Sequence, residues 1–360
     1  MSSKILIAVR FDAEAKNGGD YQMMRAFAAE LQRPFETEIC FGVPKADQLN
    51  DVAAVLATNL DRPLEAWRTM LACQARGIPF VIYTLHHPHA GIEAYLRTGT
   101  QGIKAKIAKA ADFDPVSYEA ILWRIRTVAS VMKLRGWLPQ GSVREAQKSL
   151  VQHADAVVCC ASAEIDVLSG DIARPEHCYI VPHPTDAPPA AGAETVPGRV
   201  VVAGRIEARK NQITALEIAR ALSNLDFVFV GGKVNSEAEY FANFETSLAN
   251  TPNASYKPNL PKADFYPFLA SAEIVLNPSF FEVTSLIDVW CVENSLPLVT
   301  TTHTYLRGEG AFGQFDPTST EDGIRVLKHT LETARTGRRS LKPLRDANTT
   351  TMVNVMGSLT

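Results

Sequence analysis

The chain has 360 residues, 46% of them hydrophobic and 21% charged, with a formal net charge of -3. That length exceeds one ordinary core and suits two α/β domains of roughly 150 to 180 residues each. The composition excludes a disordered chain, no run approaches the roughly 20 apolar residues that cross a bilayer, and no nucleic-acid partner is expected.

The opening MSSKILIAVRFDAE reaches an acid after a short apolar run and lacks a small-residue cleavage pattern, so no secretory signal is expected. Short β-rich runs then alternate with amphipathic stretches: KILIAV, TEICF, VAAVLA, PFVIYTL, DAVVCC and CYIV, with helices predicted near Asp20 to Gln32, Pro63 to Arg76, Tyr118 to Leu134 and Ser142 to His153. Such alternation builds a parallel, doubly wound sheet. From Pro182 to Gly198 the chain is rich in Pro, Ala and Gly and reads as a linker. The pattern restarts with RVVVAG, FVFVGG, ASYKP, EIVLN and PLVTT, separated by helices near Gln212 to Ser223, Glu237 to Ala249, Lys262 to Ala270 and Thr284 to Glu293. The expected organisation is a first domain over 1–185, a linker over 186–198, a second domain over 199–340, and a tail over 341–360 that packs back on the first domain. Two such halves are expected to bind ligands at the carboxyl ends of their sheets.

Six cysteines, Cys40, Cys73, Cys159, Cys160, Cys178 and Cys291, are scattered without ligand-like spacing. As small hydrophobes in apolar runs they suit a reducing cytoplasm. Between Arg97 and Lys148 stand ten basic residues, including Lys104, Lys106, Lys109, Arg124, Arg126, Lys133 and Arg135, against four acidic ones. This stretch reads either as a solvated helix surface or as a basic face for an anionic lipid surface or a phosphate-bearing acceptor.

Two segments carry the chemistry. In VVVAGRIEARKNQ a strand ends at Gly204, followed by Arg205, Lys210 and a helix. A glycine lets backbone approach a ligand, and cations beside a helix N-terminus fit a diphosphate. In LNPSFFEVTSLIDVWCVENSLPLVTT another strand leads through Glu282 to a helix opening at Thr284 and Ser285. Hydroxyl residues there cap the helix and leave N–H groups for an anion, and Glu282 reads either as a carboxylate that accepts hydrogen bonds from sugar hydroxyls or as a helix-entry acid favoured by the dipole. In the first half, Gly18 and Gly19 open a helix at Asp20, which reads as a base or as a first-turn acid. FVIYTLHHPHAG ends a strand in His86, His87 and His89, whose spacing is poor for zinc. Asp112-Phe113-Asp114 matches a metal-binding two-aspartate pattern but lies before a helix and reads as a turn.

These motifs, in this order, resemble the retaining GT-B glycosyltransferases of family 4, whose second domain carries a GR…K diphosphate motif and later a PS…E segment. The matching residues are Gly204, Arg205 and Lys210, then Pro278, Ser279 and Glu282, with Gly18 and Gly19, Gly231 and Gly232, and the VPHPTD segment ending in Asp186 supporting the likeness. The resemblance implies two Rossmann-like domains facing a central cleft. It also implies transfer of a sugar from a nucleotide sugar to an acceptor hydroxyl with retention, no metal, and no cofactor other than the donor substrate. Glu282, Arg205, Lys210 and either His86 or His87 are then the catalytic candidates. Gly18, Gly19, Gly204, Gly231, Gly232, Ser279, Val283, Thr284, Ser285 and Leu286 are donor-binding candidates. The family pattern has a second Glu eight positions after the first, where this chain has Trp290. If the segment is helical, Glu293 replaces that ribose contact better than Asp288, which turns to the far side. The expected partners are a nucleotide sugar, an acceptor glycan or lipid-linked saccharide and, peripherally, an anionic membrane. Alternatives are an inactive nucleotide-sugar-binding scaffold and a sugar-nucleotide epimerase of the same shape.

Overall fold

Branched and aromatic runs form two parallel six-stranded sheets. The computed structural model describes residues 3–15, 18–132, 141–184, 187–189, 194–336, 341–343, 346 and 348–360. The first sheet comprises β1 (Lys4–Val9), β2 (Glu36–Phe41), β3 (Val52–Thr58), β4 (Phe80–Tyr83), β5 (Ala156–Cys159) and β6 (Cys178–Ile180), in the order β2-β1-β3-β4-β5-β6. The second comprises β7 (Arg199–Ala203), β8 (Asp226–Val230), β9 (Ala254–Lys257), β10 (Ile274–Leu276) and β11 (Leu298–Thr301). After β12 (Gly308–Glu309) it is completed by β13 (Phe312–Phe315), in the order β13-β11-β10-β7-β8-β9; β12 itself pairs antiparallel with β14 (Lys342–Pro343).

The apolar runs are continuous because both faces of each sheet are covered. Phe227 and Phe229 of β8 join Val200, Val202, Ile274 and Leu276 on one face, while Val228 and Val230 join Val201 and Val275 on the other. Each buried side chain of this size contributes about 1.5–3 kcal/mol relative to exposure. In the first sheet Leu6, Val55, Phe80 and Ile82 likewise share one cluster.

The chain divides into two units, residues 1–87, 110–184 and 346–360 in the first, 88–109 and 185–345 in the second. This departs from a first domain running unbroken over 1–185. Residues 88–109 are tied to the second unit by aromatic packing: Tyr95 lies 5.8 Å from Phe280 and 6.0 Å from Phe281. A Cβ on Gly91 would come within 2.7 Å of Phe281. The C-terminal Met352–Gly357 helix buries Met352, Val355 and Met356 within the first unit, where the N–H of Thr350 donates to the carbonyl of Ile180 at 2.9 Å. Asp186, Lys133, Arg135 and part of the linker lie outside the described residues. Among the described residues no helix is long and apolar enough to cross a membrane.

Candidate functional site

In the second unit the strand order reverses its winding between β7 and β10, and the crevice at such a reversal is where open parallel sheets bind ligands. Both sequence motifs of that half emerge there, one after each strand. Gly204 ends β7 at φ 151° and Gly231 follows β8 at φ 155°. The two meet so closely that a Cβ on Gly231 would lie 1.9 Å from the carbonyl oxygen of Gly204. Only glycine allows this approach. Gly232 abuts Asn259 in the same way, at 2.6 Å.

Lys210 and Glu282, 72 residues apart, form an ion pair. The other Glu282 oxygen accepts from the Arg209 guanidinium at 3.3 Å, and Arg209 also donates to Glu207 at 3.1 Å and lies over the Phe281 ring. Burial pushes the Glu282 carboxyl up, but Lys210 and Arg209 outweigh it and hold the group well below the usual carboxylate range. Arg209 is raised, burial being outweighed by Glu282 and Glu207. Arg205 stands further out, with 57% of its side chain exposed and a 3.2 Å contact to Glu207. Three cations therefore face two carboxylates, leaving a site suited to an anion.

The neighbouring Leu286–Glu293 helix is N-capped by Ser285, whose Oγ accepts from the Asp288 N–H at 3.4 Å. The amides of Leu286 and Ile287 have no intrahelical acceptor, which leaves them to an anion at the positive end of the helix dipole. Val283 is buried, Thr284 and Ser285 half-buried, and Leu286 44% exposed.

Three expected site residues are engaged within the protein, and one further residue was not expected. Glu282 is not open for sugar hydroxyls, since both its oxygens hold cations. Ser279 is wholly buried and donates its hydroxyl to Asn277 Oδ1 at 2.6 Å, so it shapes the turn instead of offering a hydroxyl to a ligand. Lys210, expected beside a diphosphate, is paired with Glu282. Arg209 was missed altogether: the spacing of the motif points to Arg205 and Lys210, and nothing local distinguishes Arg209 from a solvated loop charge. Trp290 is core, its Nε1 donating to the Pro188 carbonyl at 2.7 Å and its ring 5.2 Å from Tyr266. Glu293 is exposed at the end of that helix and Asp288 is fully buried on its inner side.

In the first unit the winding reverses between β1 and β3. Around that point Arg10 donates to Asp20 at 2.6 Å and Asp12 at 2.7 Å, and Arg62 reaches Asp12 at 3.2 Å. Asp20 is thus ion-paired and not poised as a base. Glu65, raised chiefly by burial, accepts from the Phe11 N–H at 2.9 Å. Arg10, Asp12, Arg62 and Glu65 form a cluster that the sequence did not disclose, because it assembles from two segments some fifty residues apart. Gly18 is the extended residue before the Gly19–Leu31 helix, and a Cβ on Gly19 would meet nothing within 4 Å.

After β4 the backbone turns sharply at Leu85, φ 44°. His86 is fully buried, its Nδ1 3.2 Å from Asp61 and its Nε2 2.8 Å from Asp171. Burial lowers its pKa, but Asp171 and Asp61 together raise it to about 9. His87 contacts Asp61 at 2.5 Å and keeps 29% of its side chain exposed. Glu164 pins this loop from below, accepting from Thr84 Oγ1 at 2.5 Å and from the His86 and Cys160 N–H groups at 3.0 and 2.6 Å. Asp112 and Phe113 both have positive φ, and Asp114 accepts from the Ser117 N–H at 2.7 Å, the geometry of a turn capping a helix.

No protein-family model and no curated protein matches the sequence. Solved structures do match the fold. One is sucrose-phosphate synthase (tll1590) from Thermosynechococcus elongatus, with a TM-score of 0.65 at 11% identity over 93% of both chains. Another is Anabaena Alr3699/HepE in complex with UDP, with a TM-score of 0.62 at 12% identity, covering 94% of this chain and 92% of that one. A third is WaaG, a glycosyltransferase involved in lipopolysaccharide biosynthesis, with a TM-score of 0.50 at 13% identity over 93% and 92% of the two chains. At such identities the likeness is one of architecture, and the two parallel six-stranded sheets with their helices are the GT-B glycosyltransferase fold.

Proposed function

We propose that the protein is a glycosyltransferase that moves a sugar from a nucleotide diphosphate donor to an acceptor hydroxyl with retention at the anomeric carbon. The observation that carries this reading is the convergence of Arg205, Arg209, Lys210 and the Leu286–Glu293 helix N-terminus at the sheet reversal of the second unit. Such a constellation binds a diphosphate and stabilises the negative charge that grows on it as the glycosidic bond breaks. HepE, similar in fold, has been solved with UDP-glucose, which favours a nucleotide sugar as the donor.

In this reading a bound diphosphate competes with Glu282 for Lys210, and Glu282 then becomes available to the donor. The cations supply the charge, so the reaction proceeds without metal. Of the two histidines, His87 is the one assigned to the ligand, since His86 is sealed between Asp61 and Asp171. Glu293 is assigned to the ribose. The acceptor is a glycan or lipid-linked saccharide, in polysaccharide or glycoconjugate assembly at the cytoplasmic side of a membrane. Supporting a peripheral contact, Ile125 and Val128 stand 50% and 60% exposed beside Arg124 on the Pro115–Met132 helix. Several cations of the basic stretch are already paired: Arg97 with Glu93, Lys104 with Glu237 and Arg126 with Glu119.

The test is incubation with a panel of nucleotide sugars and proton NMR of the fresh product. Released nucleoside diphosphate with a product of the donor's anomeric configuration supports the reading. Inversion overturns retention, epimer formation without an acceptor identifies an epimerase, and binding without turnover identifies a scaffold.

A further inference from the structure

Behind the anion site a buried polar chain joins the Leu286–Glu293 helix to the turn that bears Glu282. Asp288 has no exposed surface. Its Oδ2 accepts from Asn277 Nδ2 at 2.7 Å and from Thr300 Oγ1 at 3.2 Å. Those contacts fix the orientation of the Asn277 amide, whose Oδ1 accepts from the Ser279 N–H at 3.2 Å and the Ser279 hydroxyl at 2.6 Å. Ser279 stands three residues before Glu282 in the same turn. The other Asp288 oxygen, Oδ1, is buried without a hydrogen-bond partner among the described residues.

An ionised carboxylate there would leave a charged oxygen with no donor, at the cost of an unsatisfied buried ion. A neutral acid costs less there: Oδ2 is the carbonyl that accepts both bonds, and Oδ1 carries the proton, so that a hydroxyl and not a charged oxygen lacks a partner. Resting on the nucleotide-binding reading above, we propose that Asp288 is a positioning residue that orients Asn277 and the turn leading to Glu282, and that its neutral form favours anion binding at that turn while its ionised form opposes it. The charged and titratable groups that act on it are Glu282, which opposes its ionisation, Lys210, which favours it, and the Cys291 thiol on the same helix. Burial first, and Glu282 with it, pushes the Asp288 carboxyl up to about 7. Loss of its proton puts a second negative charge beneath the site, where it repels a diphosphate and competes with Glu282 for Lys210.

The experiment is calorimetric titration of UDP into the wild-type protein and Asp288→Asn from about pH 6 to about pH 8.5, with Tm recorded for both without nucleotide. The asparagine can accept the same two hydrogen bonds but cannot ionise. Expected is a wild-type affinity that falls about tenfold relative to Asp288→Asn across that range, one charge acting at short distance through a partly screened interior. A wild-type Tm that falls against that of Asp288→Asn over the same window is also expected. Asp288→Leu, which releases Asn277, is expected to bind UDP weakly at every pH. UDP's own ionisation is common to all three proteins. Parallel pH profiles in wild type and Asp288→Asn overturn the proposal, even if the Tm values diverge, because ionisation would then not reach the site. No UDP binding by wild type at any pH overturns the nucleotide reading itself, and this inference with it.

Discussion

The Lys210–Glu282 pair gives the sharpest structural prediction. Glu282 has 9% of its side chain exposed and Lys210 15%, so Lys210→Met strands a buried carboxylate against Arg209 alone, 3.3 Å away. Breaking a buried pair by removing one partner costs about 3–5 kcal/mol, and the remaining guanidinium brings the expectation here to about 2 kcal/mol. Glu282→Gln in the same background removes the stranded charge, so the double variant is expected to recover at least about 1 kcal/mol of that loss. The pH dependence follows. Because the folded carboxyl titrates below its unfolded value of about 4.3, its contribution is present above that pH and is lost as pH falls through the folded value. Lys210→Met should lose less of its own stability on acidification than wild type does. Urea unfolding followed by tryptophan fluorescence reads all three quantities, provided the m-value is unchanged. A single-variant cost within about 0.5 kcal/mol of zero, or additive single and double variants, refutes the coupling.

Two histidines titrate in opposite senses. His183 is buried with no hydrogen-bond partner on either ring nitrogen among the described residues, and burial, with His87 beside it, lowers its pKa to about 4. Its contribution is present above its unfolded value of about 6.5 and lost as pH falls toward about 4, roughly 3 kcal/mol that His183→Phe should abolish in a pH series of Tm measurements. His86, raised to about 9, contributes fully below about 6.5 and loses that contribution as pH rises through about 9, so Asp171→Asn should flatten the alkaline limb of the same series. Trp290→Ala should cost about 3–5 kcal/mol in urea unfolding, while Glu293→Gln weakens nucleotide binding with no comparable loss of stability. Unchanged affinity in Glu293→Gln would assign the ribose to another group. Flotation with anionic liposomes at low salt should retain the protein and lose it at high salt, since exposed charges are screened over about 10 Å at 0.1 M; no flotation at low salt leaves only a solvated face.

The architecture was legible because both sheets are covered on both faces, which makes each strand a compact apolar run between turn residues. β7 and β8 show this most clearly. Position in the strand order then follows from topology, and it brings Gly204 and Glu282 to one reversal. What sequence could not show is pairing across long separations. Arg209 differs from any loop arginine only by its contacts to Glu207 and Glu282, and Asp288 only by a partner eleven residues back in Asn277. Residues 88–109 follow β4 in sequence, yet aromatic packing places them in the second unit. The expected strands and helices also stop at Thr301, although the Thr320–Arg335 helix carries a visible start signal in Ser319, whose Oγ accepts from the Asp322 N–H at 3.2 Å.

The central claim is that the reversal between β7 and β10 binds the diphosphate of a nucleotide sugar. Calorimetric titration of UDP, GDP and ADP into wild type and Lys210→Ala at about pH 6 tests it directly. Expected is saturable one-to-one binding of at least one nucleotide by wild type, weakened by about two orders of magnitude in a folded Lys210→Ala variant. Equal affinity in the two proteins, or no binding of any of the three by wild type, would contradict it.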